Sequence, residues 1–318
     1  MARPAVFIDG EAGTTGLQIQ ARLRGRPDIE LVSIDHDKRK DPAERKRMLN
    51  AADLAILCLP DDAAREAVSL IDNPNTRVID PSTAHRVNPD WAYGFPELVA
   101  GQAEKIRASK RVSNPGCYPT GAIALIRPLT DAGVMSADHP VTVNAISGYS
   151  GAGKSLIDVY EGRSTAKPKH AFLAYALELK HKHLPEMKVY GKLTGAPVFQ
   201  PSIAAFAQGM LINVPLHLRT LAKKASGKDL HAILAERYAG QRFVKVMPLG
   251  SSTELAPDAL NGTNMMELFV FENEANGQAL LTARLDNLGK GASGACVQNM
   301  DLMLGLKQTD AALPIAAE

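Results

Sequence analysis

Apolar residues in the first third of the chain fall into short, almost unbroken runs, separated by stretches with helical spacing. Ala5-Val-Phe-Ile-Asp9, Glu30-Leu-Val-Ser-Ile-Asp35, Leu54-Ala-Ile-Leu-Cys-Leu59 and Arg77-Val-Ile-Asp80 predict strands. The third is apolar at nearly every position, the pattern of a strand covered on both faces of a parallel sheet. Leu17–Leu23 and the run that starts at Pro60 repeat as helices. Strands alternating with helices in this way predict a doubly wound parallel sheet. Lys110-Arg-Val-Ser113 is a further short strand, and Gly121-Ala-Ile-Ala-Leu-Ile126 reads as a helix. Past Val141–Ile146, strand-like alternation recurs at Pro197–Phe199, Gly209–His217, Glu267–Phe271 and Gln278–Leu285, with a helix at Lys228–Tyr238. That order predicts an α+β domain built on a mostly antiparallel sheet, one face covered and the other suited to subunit pairing. A long helix over Ala295–Leu306 and a fraying alanine-rich tail close the chain.

Composition narrows the picture without adding a function. The chain has 318 residues, 45% apolar and 22% charged, enough for two domains with full cores. A formal charge of +2 lacks the basic bias of a dedicated nucleic-acid binder. No apolar run approaches the ~18 residues of a membrane span, and the first strand begins too early to leave room for a signal peptide. Three scattered cysteines, Cys58, Cys117 and Cys296, do not form a disulfide framework. These features predict a cytoplasmic protein of enzyme size, with no membrane or nucleic-acid partner.

Chemistry enters at the turns. Gly10-Glu-Ala-Gly13-Thr-Thr-Gly16 lies between a strand and a helix, as in a dinucleotide-binding βαβ unit, although its spacing is G-x-x-G-x-x-G. Glycines there let the backbone approach a pyrophosphate, and the helix N–H groups face the phosphates. Gly10, Ala12, Gly13, Thr14, Thr15 and Gly16 are therefore candidate cofactor contacts. Asp35 ends the second strand where a ribose-reading residue belongs and favours NAD. Lys38, Arg39 and Lys40 follow it and suit the 2′-phosphate of NADP, or form a solvated basic loop. Pro60 opens the helix after the third strand, Ser82 follows the Arg77–Asp80 strand at its carboxyl end, where such sheets bind ligands, and both are candidate cofactor contacts; Arg86 could grip a phosphate or carboxylate.

Asn114-Pro-Gly-Cys-Tyr-Pro-Thr120 puts Cys117 at or beside a helix N-terminus. Unpaired N–H groups and the helix dipole there favour a thiolate, which is a nucleophile, and neighbouring N–H groups could receive an oxyanion. A buried turn cysteine is the plain alternative. His181 and His183 are the acid/base candidates, since a Cys–His pair makes a reactive thiolate. Two residues apart on a helix or strand, they point in different directions, so one is expected to face Cys117. With no third ligand at suitable spacing, no metal is expected. Gly148-Tyr-Ser-Gly-Ala-Gly-Lys-Ser155 fits the phosphate-loop pattern of nucleotide triphosphatases letter for letter. Against that reading, the cofactor unit is already complete elsewhere and no clear acidic second motif follows. A substrate or phosphate loop near Cys117 is the favoured alternative.

Together, Phe7–Gly16, Ile79–Arg86, Tyr93-Gly-Phe-Pro-Glu-Leu98, Asn114–Thr120, His181-Lys-His-Leu-Pro-Glu186 and Gly289-Lys-Gly-Ala-Ser-Gly294 resemble the shorter type of N-acetyl-γ-glutamyl-phosphate reductase over essentially the whole chain. The resemblance implies an NADP-binding Rossmann domain over 1–116 and 291–318, with the last helix returning to it, and a glyceraldehyde-3-phosphate-dehydrogenase-like α+β catalytic and oligomerisation domain over 117–290. It implies NADPH-dependent reduction of N-acetylglutamyl phosphate in arginine biosynthesis, through a Cys117 thioester, by a homo-oligomer (dimer or tetramer). His183, nearer the Pro-Glu of the family pattern, is favoured over His181 as acid/base. Gly291 joins the cofactor contacts. Arg86, Asn114, Ser147, Gly148 and Lys154 are the substrate contacts. Gln208 stands where the longer type commonly carries arginine, so no anion site is assigned there.

Overall fold

A computed structural model describes residues 3–39 and 41–310. Lys40 and the alanine-rich end from 311 lie outside the described residues. Among the described residues the chain forms two compact units. One takes the chain up to Pro96, then Ala100–Pro115, then everything from Ala292; the other takes Glu97–Val99 and Gly116–Gly291.

In the first unit, β1 (Ala5–Asp9), α1 (Thr14–Leu23), β2 (Glu30–Val32), α2 (Pro42–Ala51), β3 (Leu54–Leu57), α3 (Asp61–Ser69), β4 (Arg77–Asp80), β5 (Ala92–Tyr93), α4 (Gln102–Ala108) and β6 (Arg111–Ser113) follow in order. The strands make one sheet in the order β2-β1-β3-β4-β6-β5, every pairing parallel. Strand periodicity divides the core by face. Val6, Ile8, Leu54, Ile56 and Ile79 face Ile19 and Leu23 of α1, Ile106 of α4, and the last helix. Phe7, Ala55, Leu57 and Val78 face Met48 and Leu49 of α2 and Ala67 of α3. The sheet is thus doubly wound, and each fully buried aliphatic side chain contributes about 1.5–3 kcal/mol. Helix α2 had no strong apolar signal; it is started by Asp41, whose carboxylate accepts from the N–H groups of Ala43 and Glu44. Strand β2 stops at Val32, earlier than its sequence suggested, because the chain turns at Asp35 into a 3₁₀ turn over His36–Lys38.

The second unit contains α5 (Cys117–Asp131), β7 (Thr142–Gly148), α6 (Lys154–Tyr160), β8 (Phe172–Ala174), α7 (Leu184–Tyr190), β9 (Val198–Ala204), β10 (Met210–His217), α8 (Gly227–Arg237), β11 (Val244–Val246), β12 (Met266–Asn273) and β13 (Gln278–Leu285). Its sheet runs β11-β12-β13-β10-β7-β9-β8. β7/β9 and β11/β12 pair in parallel, so the sheet is more mixed than expected. Helices α5 and α8 cover one face. A π-helical turn, Gly289–Ser293, then leads into α9 (Gly294–Leu304), which packs on α1 and α4 of the first unit. Residues 97–99 belong with the second unit for a specific reason. Glu97 binds Lys290, and the Leu98 carbonyl accepts from Arg237.

Candidate active site

Cys117 is the first residue of α5, with Gly116 as an extended cap (φ −74°, ψ 152°) that has no side chain to offer the helix. Both of its neighbours are held. The Gly116 N–H donates to Glu186 Oε2 at 3.0 Å, and Glu186 is buried on α7. Tyr118 lies against both histidines, its ring centroid 6.0 Å from His181 and 5.9 Å from His183. A third wall is Gly291: a Cβ added there would sit 2.8 Å from the Cys117 Cβ, so only glycine lets the turn approach so closely.

The two imidazoles are neighbours, 4.7 Å between centroids, rather than diverging as expected. They lie in the turn before α7, where the alternation of a strand or the 100° step of a helix does not apply. The His183 N–H donates to His181 Nδ1 at 3.2 Å, which leaves the neutral ring's proton on Nε2. Burial, reinforced by Lys182, lowers His181 to about 4. Phe199 closes the box, and Tyr175 donates to the Tyr118 hydroxyl, which donates to the Ser202 carbonyl, each at 3.3 Å. Burial raises Tyr175 to about 12, so it is a neutral donor at pH 7. The segment that delivers Tyr175 and His181 has positive φ at Ala176 (52°) and Leu179 (59°), strain of the kind that clusters at functional sites. Tyr118, Tyr175 and Glu186 went unassigned in the sequence. Tyr118 and Glu186 sit inside quoted motifs and Tyr175 opens the stretch that runs to the two histidines, but no pattern in the letters gives any of the three a role.

The Gly148 loop follows β7 through a 3₁₀ turn into α6, only seven residues long, and β7 is flanked by antiparallel β10 and parallel β9. This is not the parallel, helix-covered setting a triphosphatase loop requires. Ser147 is buried and donates to the Gly148 carbonyl; Lys154 is exposed. The loop is tied down by Asn287, whose Nδ2 donates to Ser150 Oγ at 2.9 Å while its Oδ1 accepts from the Gly209 N–H at 2.8 Å. Gln208 donates to the buried Asp286 carboxylate at 2.6 Å.

In the first unit, Gly10 has φ 87°, and a Cβ there would lie 2.3 Å from the Cys58 carbonyl oxygen. One at Gly16 would lie 2.5 Å from the Gly10 carbonyl oxygen. Gly13 caps α1 with φ −78° and no side-chain hydrogen bond, and its Cβ would meet nothing closer than 3.4 Å. The turn therefore packs tightly on itself at Gly10 and Gly16, the Gly13 N–H donates to the Gly10 carbonyl at 3.1 Å, and no side chain caps the first N–H groups of α1, at Thr14 and Thr15. That cradle fits a dinucleotide pyrophosphate. Pro60 and Ser82 converge on the same edge, since Asp61 accepts from the N–H of Thr83 at 2.9 Å and from its hydroxyl. Ser82 itself caps Asp80, whose other partner is His85 at 2.6 Å. Asp35 is exposed and turned toward Lys38 at 3.7 Å; Arg39 is exposed beside it. Arg86 is buried and donates to the Pro81 carbonyl at 2.7 Å. Asn114 is buried too, donating to the Ala292 carbonyl and accepting from Asn299, both at 3.0 Å. Its amide serves the protein. Among the described residues no cluster of His, Cys, Asp and Glu is placed to hold a metal, and no helix is long and apolar enough to cross a membrane.

Two family models match this chain: a semialdehyde dehydrogenase NAD-binding domain over residues 5–107 and a semialdehyde dehydrogenase dimerisation domain over 117–287. Among curated proteins, the chain is 54% identical to an N-acetyl-gamma-glutamyl-phosphate reductase of Burkholderia cenocepacia, across 96% of this chain and 98% of that one. It is 58% identical to the protein of that name from Chelativorans sp., across 94% and 97%. Among solved structures, aspartate semialdehyde dehydrogenase II of Vibrio cholerae superposes with a TM-score of 0.73 at 14% identity, covering 96% of this chain and 99% of that one. A likeness at that identity concerns the fold.

Proposed function

The chain belongs to the N-acetyl-γ-glutamyl-phosphate reductases, and from that premise we propose how its own residues reduce N-acetyl-γ-glutamyl phosphate to N-acetylglutamate 5-semialdehyde in arginine biosynthesis. The observation that carries the proposal is Cys117 at the first position of α5, flanked by Gly116 on Glu186 and Tyr118 on two imidazoles. The Cys117 thiolate, favoured by the helix start, attacks the acyl carbon. The carbon–oxygen bond to phosphate breaks, phosphate leaves with that electron pair, and a thioester remains. NADPH supplies the hydride that reduces the thioester. A histidine gives a proton to the oxyanion left by hydride addition, and takes it back as the carbonyl re-forms, the carbon–sulfur bond of the thiohemiacetal breaks and Cys117 leaves with that electron pair as thiolate. His183 fits that role better than His181. A ring held near 4, with Nδ1 already accepting, is a weak base at neutral pH.

The Gly10–Gly16 cradle would hold the pyrophosphate, with Pro60 and Ser82 along the same edge and Lys38 and Arg39 meeting the 2′-phosphate of NADP. Gly291 would flank the reacting centre. Ser147, Gly148, Lys154 and Arg86 remain the candidates for substrate anions, and Asn114 is better read as a prop for the strand that leads to Cys117. The face of the second sheet away from α5 and α8 carries Pro215 and Leu280, both exposed, which suits pairing with a second copy of the chain. A reactive thiol and three cysteines outside disulfides suit the reducing cytoplasm. The test is NADP⁺ reduction with N-acetylglutamate semialdehyde and phosphate. The wild-type chain turns over only with phosphate present; turnover on aspartate semialdehyde in preference to the acetylated substrate would reassign the activity.

A further inference from the structure

Lys290 and Glu97 form an ion pair that the reaction above does not use. Lys290 Nζ lies 2.8 Å from both Glu97 carboxylate oxygens, both side chains are almost wholly shielded from water, and the Phe243 ring lies 5.6 Å from the ammonium. Desolvation makes such a pair a poor source of stability compared with apolar packing, so its presence calls for another reason.

Its place in the fold supplies one. Lys290 immediately precedes Gly291, where an added Cβ would sit 2.8 Å from the Cys117 Cβ. Glu97 begins the three-residue segment that also offers its Leu98 carbonyl to Arg237 at 2.8 Å. Arg237 holds with its other nitrogen Asp131, the last residue of α5, at 2.8 Å. One short strap therefore refers both ends of the Cys117 helix to the same point: the start through Lys290 and Gly291, the end through Arg237. The remaining anchors of the turn point the same way. A Cβ at Gly289 would lie 1.9 Å from the Thr263 carbonyl oxygen, and the Gly291 N–H donates to the Asp286 carbonyl at 3.0 Å.

We propose that Glu97 and Lys290 are positioning residues, which press the Gly291 turn against Cys117 and fix the direction of its sulfur for attack. The proposal rests on the acyl-transfer role given to Cys117. A misplacement of the order of 1 Å at a reacting atom costs roughly a hundredfold in rate.

The test compares Glu97→Asp, which keeps the charge pair but shortens one arm, with the double variant Glu97→Gln/Lys290→Met, which removes both charges. Steady-state kinetics and the rate of iodoacetamide alkylation of Cys117 are measured on each. The expected result is a kcat lowered about tenfold or more, KM values for semialdehyde and NADP⁺ within about twofold, and an alkylation rate changed at least about threefold. Glu97→Asp is the milder of the two and gives the reading if the double variant does not fold. An unchanged kcat in folded Glu97→Asp overturns the proposal. So does a rise in KM alone, or a loss of kcat with unaltered alkylation, since neither places the effect at the sulfur. Alkylation does not depend on turnover: an inactive wild type would overturn the proposed function, while the thiol rates would still decide whether the pair positions Cys117.

Discussion

Two helices start in the same way, and the proposed function gives their starts different anions. Helix α1 begins at Gly13 and α5 at Gly116; both caps are extended glycines without a side chain to satisfy the first N–H groups. At α1 the surrounding turn leaves those groups open to a phosphate brought from outside. At α5 the first residue is a cysteine, the anion-forming group of the proposed reaction, with Glu186 on the Gly116 N–H and Gly291 packed against its Cβ. The contrast teaches that a helix N-terminus is a general electrostatic device, and that the neighbours of the cap decide whether it binds or reacts.

The sharpest way to break the comparison is to remove the sulfur. Cys117→Ser should lower phosphate-dependent semialdehyde oxidation by at least about a thousandfold. NADPH affinity, read by fluorescence titration, should stay unchanged. Gly13→Val is the mirror experiment. Its backbone accepts a branched side chain and its Cβ has room, so the fold should survive while the side chain intrudes on the phosphate. NADPH binding should weaken by about ten- to a hundredfold, with Cys117 alkylation unaltered. Gly10→Ala separates cradle from fold, because its positive φ and its contact with Cys58 should cost about 2–4 kcal/mol of stability in denaturant titration.

A smaller effect is expected beyond β2. Lys38→Glu with Arg39→Glu should reduce the preference for NADPH over NADH about tenfold, read as the ratio of kcat/KM values. The smallest concerns His181. Its folded value, about 4, lies below its ordinary 6.5, so the unfolded chain binds the extra proton first. The stability that follows from keeping this ring neutral is complete above 6.5 and is lost as pH falls toward 4. His181→Asn should therefore flatten the fall in Tm across that window.

Much of this was legible in the sequence. The first sheet was readable because its strands are buried on both faces and show as apolar runs, as at Leu54–Leu57. Cys117 was readable because glycine and proline mark the start of α5. The limits were equally physical. The Gly148–Ser155 letters match a triphosphatase loop, but its meaning depends on sheet pairing, which local sequence does not encode. His181 and His183 were expected to diverge because periodicity was applied to a turn. Tyr175 opens the stretch that holds the histidines, but its role was not legible because two positive-φ residues carry the chain on to His181. The Glu97–Lys290 pair is formed across 193 positions and could not be inferred from either motif alone.

The central claim is that Cys117 carries the acyl group. The most direct measurement mixes the wild-type chain with N-acetylglutamate semialdehyde and NADP⁺ in the absence of phosphate, and follows both NADPH and the mass of the Cys117 peptide. A thioester on Cys117 gives a burst of NADPH matching the number of active sites, an acyl adduct on the Cys117 peptide, and steady turnover only once phosphate is added. Full turnover without phosphate, or an adduct carried by any other residue, would contradict it.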